Sequence, residues 1–186
     1  MALGFGPISG SAISSLSTNF KAEFDVEKRI EGLSGLELTS YFSESLIKHF
    51  QKHPNDLKVI DRRKFEELVA ELFSGFGFEV ELTQQTRDGG KDIIAIQRKP
   101  VGVKYLIECK RPEPGNPVSV SVVRELLGVK NDERATKGIL VTTTHLSPDA
   151  QVFVNKNNWE LEAKEFNGLT EWVDEYLRLK SHNSKV

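Results

Sequence analysis

Asp92-Ile93-Ile94-Ala95-Ile96 and Tyr105-Leu106-Ile107-Glu108-Cys109-Lys110 are the two stretches on which the fold of this chain turns. Both are apolar and β-branched, which predicts strands. Both are also broken by charge. Side chains alternate across a strand, so Glu108 and Lys110 share one face while Ile107 and Cys109 take the other. A turn signal, Asp88-Gly89-Gly90, precedes the first strand. A loop of roughly hairpin length around Pro100 and Gly102 joins it to the second, so Asp92 can lie beside Glu108. Charge on a largely buried strand is costly unless it is paired or bound to a metal.

Outward from this pair the periodicity changes. Phe78, Val80 and Leu82 alternate with polar residues and predict a half-buried strand. Before it, Phe65, Leu68, Val69, Leu72, Phe73 and Phe76 form an amphipathic helical stripe from about Asp61, its N-cap, to Phe76. An earlier helix is expected over Leu38–Phe50, capped by Thr39 or Ser40 and ended by Pro54. On the C-terminal side a helix is expected over about Ser119–Asn131. Gly138-Ile139-Leu140-Val141-Thr142-Thr143 reads as a strand buried on both faces. Ser147-Pro148 opens a further helix, Trp159–Phe166 a short strand, and Leu169, Trp172, Val173, Tyr176 and Leu177 a last helix. Trp159 and Trp172 are expected in the core. The order α-α-β-β-β-α-β-α-β-α predicts an α/β fold: a mixed central sheet of about five strands flanked by helices on both faces.

The totals set bounds. The chain has 186 residues, 38% apolar and 28% charged, which suits one globular domain and excludes a disordered chain. The expected divisions are a loosely ordered arm over 1–35, a helical extension over 36–57, the main domain over 58–180 and a tail over 181–186. Lys+Arg number 25 and Asp+Glu 27, a net charge of -2. That excludes a protein working mainly by wrapping nucleic acid, so any such surface is local. The single cysteine, Cys109, the lack of a basic leader and the lack of about 18 consecutive apolar residues point to a cytoplasmic protein with no membrane segment.

The candidate chemistry lies where charge interrupts the strands. Asp92 and Glu108 offer hard oxygen ligands suited to Mg²⁺, with Mn²⁺ as a substitute, and the Cys109 main-chain carbonyl could add another. Lys110 could stabilise developing negative charge or orient a nucleophile. On the preceding helix Glu67 points nearly opposite the apolar stripe and Glu71 lies well off it. Glu66 sits roughly 85° from its centre, and is the candidate to reach the site, through water or a second metal. Arg87, Lys91, Arg111 and Arg124 are candidate phosphate contacts; Asp88 is the turn former. Each residue also has a plainer reading. Glu108 and Lys110 could be an edge-strand ion pair, Asp92 part of a turn, and Glu66 a solvated charge. The bare spacing is common by chance; the order of elements around it is not.

In combination, Arg87-Asp88-Gly89-Gly90-Lys91-Asp92, Glu108-Cys109-Lys110-Arg111, Gly138–Thr143, Phe65-Glu66 and Val123-Arg124-Glu125-Leu126 resemble the catalytic domain of Mrr-like restriction endonucleases, in the PD-(D/E)XK nuclease superfamily. The resemblance spans about residues 60–175. It implies a Mg²⁺-dependent DNA endonuclease that leaves a 5′-phosphate and acts in defence against foreign DNA. Asp92, Glu108 and Lys110 would be its catalytic triad and Glu66 its helix acid. Many Mrr-like members carry Gln where this chain has Glu108; the carboxylate is the better metal ligand. A separate DNA-reading domain is not expected in residues 1–57. Specificity would then come from loops, from a homodimer or higher oligomer, or from a separate specificity or defence-system protein. The rival readings are a structure-selective nuclease acting on junctions or RNA, and a non-catalytic nucleic-acid-binding or assembly module.

Overall fold

The computed structural model describes residues 42–83 and 91–183. Thr39, Ser40, Arg87 and the Asp88-Gly89-Gly90 turn lie outside them. The described elements are α1 (Glu44–Lys52), a 3₁₀ turn (Pro54–Lys58), α2 (Arg62–Gly75), β1 (Glu79–Leu82), β2 (Ile93–Gln97), β3 (Val103–Lys110), α3 (Val120–Asp132), β4 (Lys137–Thr142), α4 (Pro148–Lys156), β5 (Leu161–Lys164) and α5 (Phe166–Asn183). The order is the expected one. The first helix starts later than its apolar pattern predicts, at Glu44, where the Ser43 hydroxyl accepts from Leu46 N–H at 3.3 Å.

The sheet runs β1-β2-β3-β4-β5. The first two pairings are antiparallel and the last two parallel. Strand alternation divides the core in two. Ile93, Ala95, Ile107, Cys109, Ile139 and Val141 face α1, α2 and α5. Leu106, Leu140 and Leu161 face α3 and α4. Helices thus cover both faces, as expected, and β4 is buried along nearly its whole length. Asp61 caps α2 by accepting from Arg63 N–H at 2.8 Å and Lys64 N–H at 3.2 Å. Ser147 caps α4, with Pro148 in the first turn.

Three expectations are corrected. Trp159 is 88% exposed, not core, and β5 is limited to Leu161–Lys164. Glu160 and Leu161 both donate backbone N–H bonds to Asn157 O, so residues 157–161 form a turn and the strand alternation does not reach back to Trp159. Trp172 does pack against the core, edge-on to Phe73. Glu71, expected off the buried stripe, is only 2% exposed. α5 covers this flank of α2, and Tyr176 donates its hydroxyl to Glu71 Oε1 at 2.6 Å.

Candidate active site

β3 carries two faces of the site at once. Glu108 and Lys110 point to the α3 and α4 side with Leu106, and Cys109 points to the α2 side with Ile107. Lys110 Nζ forms an ion pair with Glu108 Oε1. The other oxygen, Glu108 Oε2, is buried and has no hydrogen-bond partner among the described residues. An unsatisfied buried carboxylate oxygen is expensive, and a cation is the partner that its chemistry suits.

Asp92 lies where β2 begins. Its N–H donates to Ile107 O at 2.8 Å, although the register partner of Ile107 is Ile93. Two residues therefore oppose one, the arrangement of a β-bulge. Past the bulge the Asp92 side chain takes the place of the next backbone rung, and Cys109 N–H donates to Asp92 Oδ2 at 2.7 Å. Lys104 O and Lys110 O accept from Thr136 and Thr143 on the β4 side. Backbone groups alternate sides along a strand, so the Cys109 carbonyl points the other way, toward Asp92. Thr83 holds the bulge from β1: its N–H donates to Asp92 O at 2.9 Å, and its hydroxyl to Lys91 O at 3.0 Å.

Glu66 approaches Asp92 from the α2 side. It is 8% exposed, and Arg63 Nη1 donates to its Oε2 at 2.8 Å and to Thr83 O at 3.2 Å. Helical phase identifies Glu66 but not Arg63, which lies one turn earlier on the same face. Glu66 and Glu108 are on opposite faces of the sheet, with Asp92 at the strand end between them. Among the described residues no three acidic, histidine or cysteine side chains converge closely enough to form a preformed cluster.

The electrostatics follow this layout. Burial, then the Asp92 charge, pushes Glu108 up to about 7, against the pull of Lys110. Burial and Asp92 also raise Glu66, opposed by Arg63. Burial raises Asp92, and the Cys109 N–H bond, Lys110 and Arg63 partly offset it. Burial works to lower Lys110, but its pairing with Glu108 prevails and the ammonium is held above its ordinary value. Burial pushes the Cys109 thiol up, as expected of a core residue and not of a nucleophile. Carboxyls raised together at one strand end are what hard oxygen ligands without their cation should show. The donor set therefore fits a divalent metal.

The candidate phosphate contacts are dispersed. Lys91 pairs with Glu133, which also holds Lys104. Arg111 Nη1 donates to Lys58 O at 3.3 Å, and its Nε is buried without a hydrogen-bond partner among the described residues. Arg124 is exposed over the Phe153 ring at 5.4 Å. Its neighbour Glu125, which the pattern left unassigned, acts electrostatically on both Glu108 and Lys110.

A five-stranded mixed sheet between two helical layers, with an acid at the start of one strand and an acid and a lysine at the end of the next, defines a protein of the restriction-endonuclease fold. A family model described as restriction endonuclease, the Mrr catalytic domain, matches residues 57–173. The chain belongs to that family and is a restriction-endonuclease-like nuclease domain. An uncharacterized protein of Sinorhizobium fredii, y4cE, is 32% identical over 111 residues, 58% of this chain. The match covers 28% of that relative's length. The DNA modification-dependent restriction endonuclease AspBHI matches with a TM-score of 0.51 and 19% identity, covering 83% of this chain and 44% of that one. The MspJI restriction endonuclease, in complex with a 27-mer oligonucleotide, matches with a TM-score of 0.49 and 20% identity, over 75% and 34% of the two chains. Among the described residues no helix is long and apolar enough to cross a membrane.

Proposed function

We propose that this chain is a Mg²⁺-dependent endonuclease that hydrolyses phosphodiester bonds of DNA, with Mn²⁺ able to substitute, and that it serves restriction of foreign DNA in the cytoplasm. The observation that carries this reading is Glu108 Oε2, a buried oxygen with no hydrogen-bond partner among the described residues, beside Asp92. Asp92, Glu108 and the Cys109 carbonyl would hold the ion, with Glu66 reaching it through water or taking a second one. The ion would polarise the phosphoryl oxygen and favour ionisation of water.

The chain's own residues supply the rest. Glu108 pairs Lys110 at its exposed end and keeps the ammonium at the strand terminus. That ammonium, held protonated, serves as a cation and hydrogen-bond donor toward the phosphate and the attacking water; it is unsuited to be the proton acceptor. The Cys109 N–H fixes one Asp92 oxygen and leaves the other for the ion. Attack on phosphorus forms one P–O bond and breaks the bond to the 3′ oxygen, leaving a 5′-phosphate. Two cuts are needed for a duplex, which favours a homodimer or a larger assembly, with specificity from loops or a partner protein. AspBHI, which shares the fold, is by its description a DNA-cutting enzyme. In this reading the nuclease domain is 58–180, and Arg111 and Arg124 join Lys91 and Arg87 as candidate DNA contacts.

Plasmid cleavage tests the proposal. Wild type should cut in Mg²⁺ and stop in EDTA, while Asp92→Ala and Lys110→Ala should not cut. Normal cutting by both variants would sink the site assignment. If junctions or RNA are cut and plasmid is not, the substrate is wrong and the site stands.

A further inference from the structure

Beyond the ends of β3, β4 and β5 lies a cavity of about 370 Å³ that the proposed chemistry does not use. Lys58, Pro112, Thr143, His145, Glu165 and Phe166 are among its lining residues. Ligands of open α/β sheets bind outside the carboxyl ends of the strands. The volume is at the small end of the roughly 300–1,000 Å³ usual for ligand pockets, room for one nucleotide-sized group and too little for a base pair.

The walls are fixed by hydrogen bonds. Phe166 N–H donates to Thr144 O at 3.1 Å, and Val118 N–H to His145 O at 2.9 Å. Leu146 N–H donates to Glu165 Oε1 at 2.7 Å, which ties up one oxygen of the pocket's carboxylate. Arg111 anchors the Lys58 carbonyl from the end of β3. The Lys58 ammonium lies 4.2 Å from the centre of the Phe166 ring and spends one donor on Asn55 Oδ1 at 2.9 Å. Among the described residues no carboxylate forms an ion pair with it. Phe166 thus orients a cation by its ring face, and no described carboxylate neutralises it. His145 stands across the same pocket, its Nδ1 3.3 Å from Thr144 Oγ1, so Nε2 is its second polar atom. The Lys58 ammonium offers a charge-assisted donor and the His145 ring a further polar contact, which suits an oxygen of a phosphodiester.

The pocket is also in line with the proposed cut. Thr143 N–H donates to Lys110 O at 3.3 Å, so its wall is bonded to the strand that carries Lys110. Neighbouring strands are about 4.8 Å apart. The pocket is walled by the segments that follow β3, β4 and β5, so a group in it lies within roughly 10 Å of the line of β3, the reach from one phosphate to its neighbour or next neighbour along a strand.

We propose that this cavity seats a backbone phosphate of the DNA strand next to the scissile one, with Lys58 as its cationic contact and His145 as its second. The proposal rests on the nuclease reading. It is tested by fluorescence anisotropy of a labelled duplex oligonucleotide, titrated with the full chain in EDTA over a series of salt concentrations. Each neutralised phosphate contributes about 0.9 to the slope of log affinity against log salt, so Lys58→Gln should flatten the slope by about 0.9 and weaken binding about eightfold near 0.1 M salt. Lys58→Arg, which keeps the charge and the stacking, should bind as wild type. Lys52→Gln, at an exposed lysine of α1, should also bind as wild type. Thermal melting of each variant checks that the fold is kept. If Lys58→Gln matches wild type in slope and affinity while wild type binds and cuts DNA, the subsite is wrong and the nuclease reading survives. Equal losses in Lys52→Gln would reduce the effect to bulk charge and overturn it. Failure of wild type to bind the duplex while it still cuts plasmid in Mg²⁺ overturns the subsite alone; failure both to bind and to cut overturns both.

Discussion

Replacing Glu108 by glutamine keeps the side chain's volume and removes its ionisation. Glu108 is 5% exposed, and burial together with Asp92 raises it from 4.5 to about 7. At 1.36 kcal/mol per pH unit, that difference makes the ionised side chain cost on the order of 3 kcal/mol relative to a neutral one. Because the folded state binds this proton more tightly than the unfolded state, the contribution to stability is fully present below about pH 4.5. It is lost as pH rises through about 7. Glutamine has no such loss. Urea denaturation in EDTA at about pH 5 and about pH 8.5 should therefore show Glu108→Gln more stable than wild type at the higher pH, by up to about 3 kcal/mol, with most of the gap gone at the lower. Mg²⁺ should narrow the gap at the higher pH without closing it. Wild type gains about 1.4 kcal/mol when the ion is at ten times its dissociation constant, whereas the variant gains little and does not cut. A stability difference that stays the same at both pH values, or a variant less stable at the higher one, would refute the reasoning. Either result would mean that Glu108 is a satisfied structural partner of Lys110 and not a metal ligand.

The helical layer gives two further expectations. A Cβ on Gly75 would stand 2.3 Å from Tyr176 ring atoms, so Gly75→Ala should lower stability by about 1–3 kcal/mol by overpacking, measured by urea denaturation. It should also disturb the Tyr176–Glu71 bond, visible as a changed tyrosine absorbance. Asp61→Ala removes the acceptor for Arg63 and Lys64 N–H and should cost about 1 kcal/mol. A thermal midpoint unchanged from wild type would show that the cap is redundant.

Most of the fold is legible in the sequence because each element carries its own period. The α2 stripe from Phe65 to Phe73 is buried as spaced, and the run from Gly138 to Thr142 is buried because it lies between two strands and two helical layers. Trp159 lies where strand periodicity ceases to be informative. A period of two is a statement about strand residues, and nothing in the pattern marks where the Asn157 turn ends and the strand begins. Glu71 fails for a different reason. Helical arithmetic gives an angle from the apolar stripe, and α2 is covered along more than that stripe. The side chain that lies over Glu71, Tyr176, is 105 residues away.

The candidate site divides in the same way. Alternation alone puts Glu108 and Lys110 together and sends Cys109 into the core. It cannot place Asp92, because the bulge opposite Ile107 breaks the period where it matters. A regular strand would give Asp92 a fixed face and leave Cys109 N–H to a backbone partner. With the bulge, the Asp92 carboxylate replaces that partner, between the face that holds Glu108 and the face that holds Glu66. This explains how one aspartate raises two glutamates that do not share a face of the sheet. It also explains why the sequence names the site's members more readily than their arrangement. The members are set by residue type and spacing along β3 and α2. The arrangement is set by one hydrogen bond, from Asp92 N–H to Ile107 O, that no periodicity encodes.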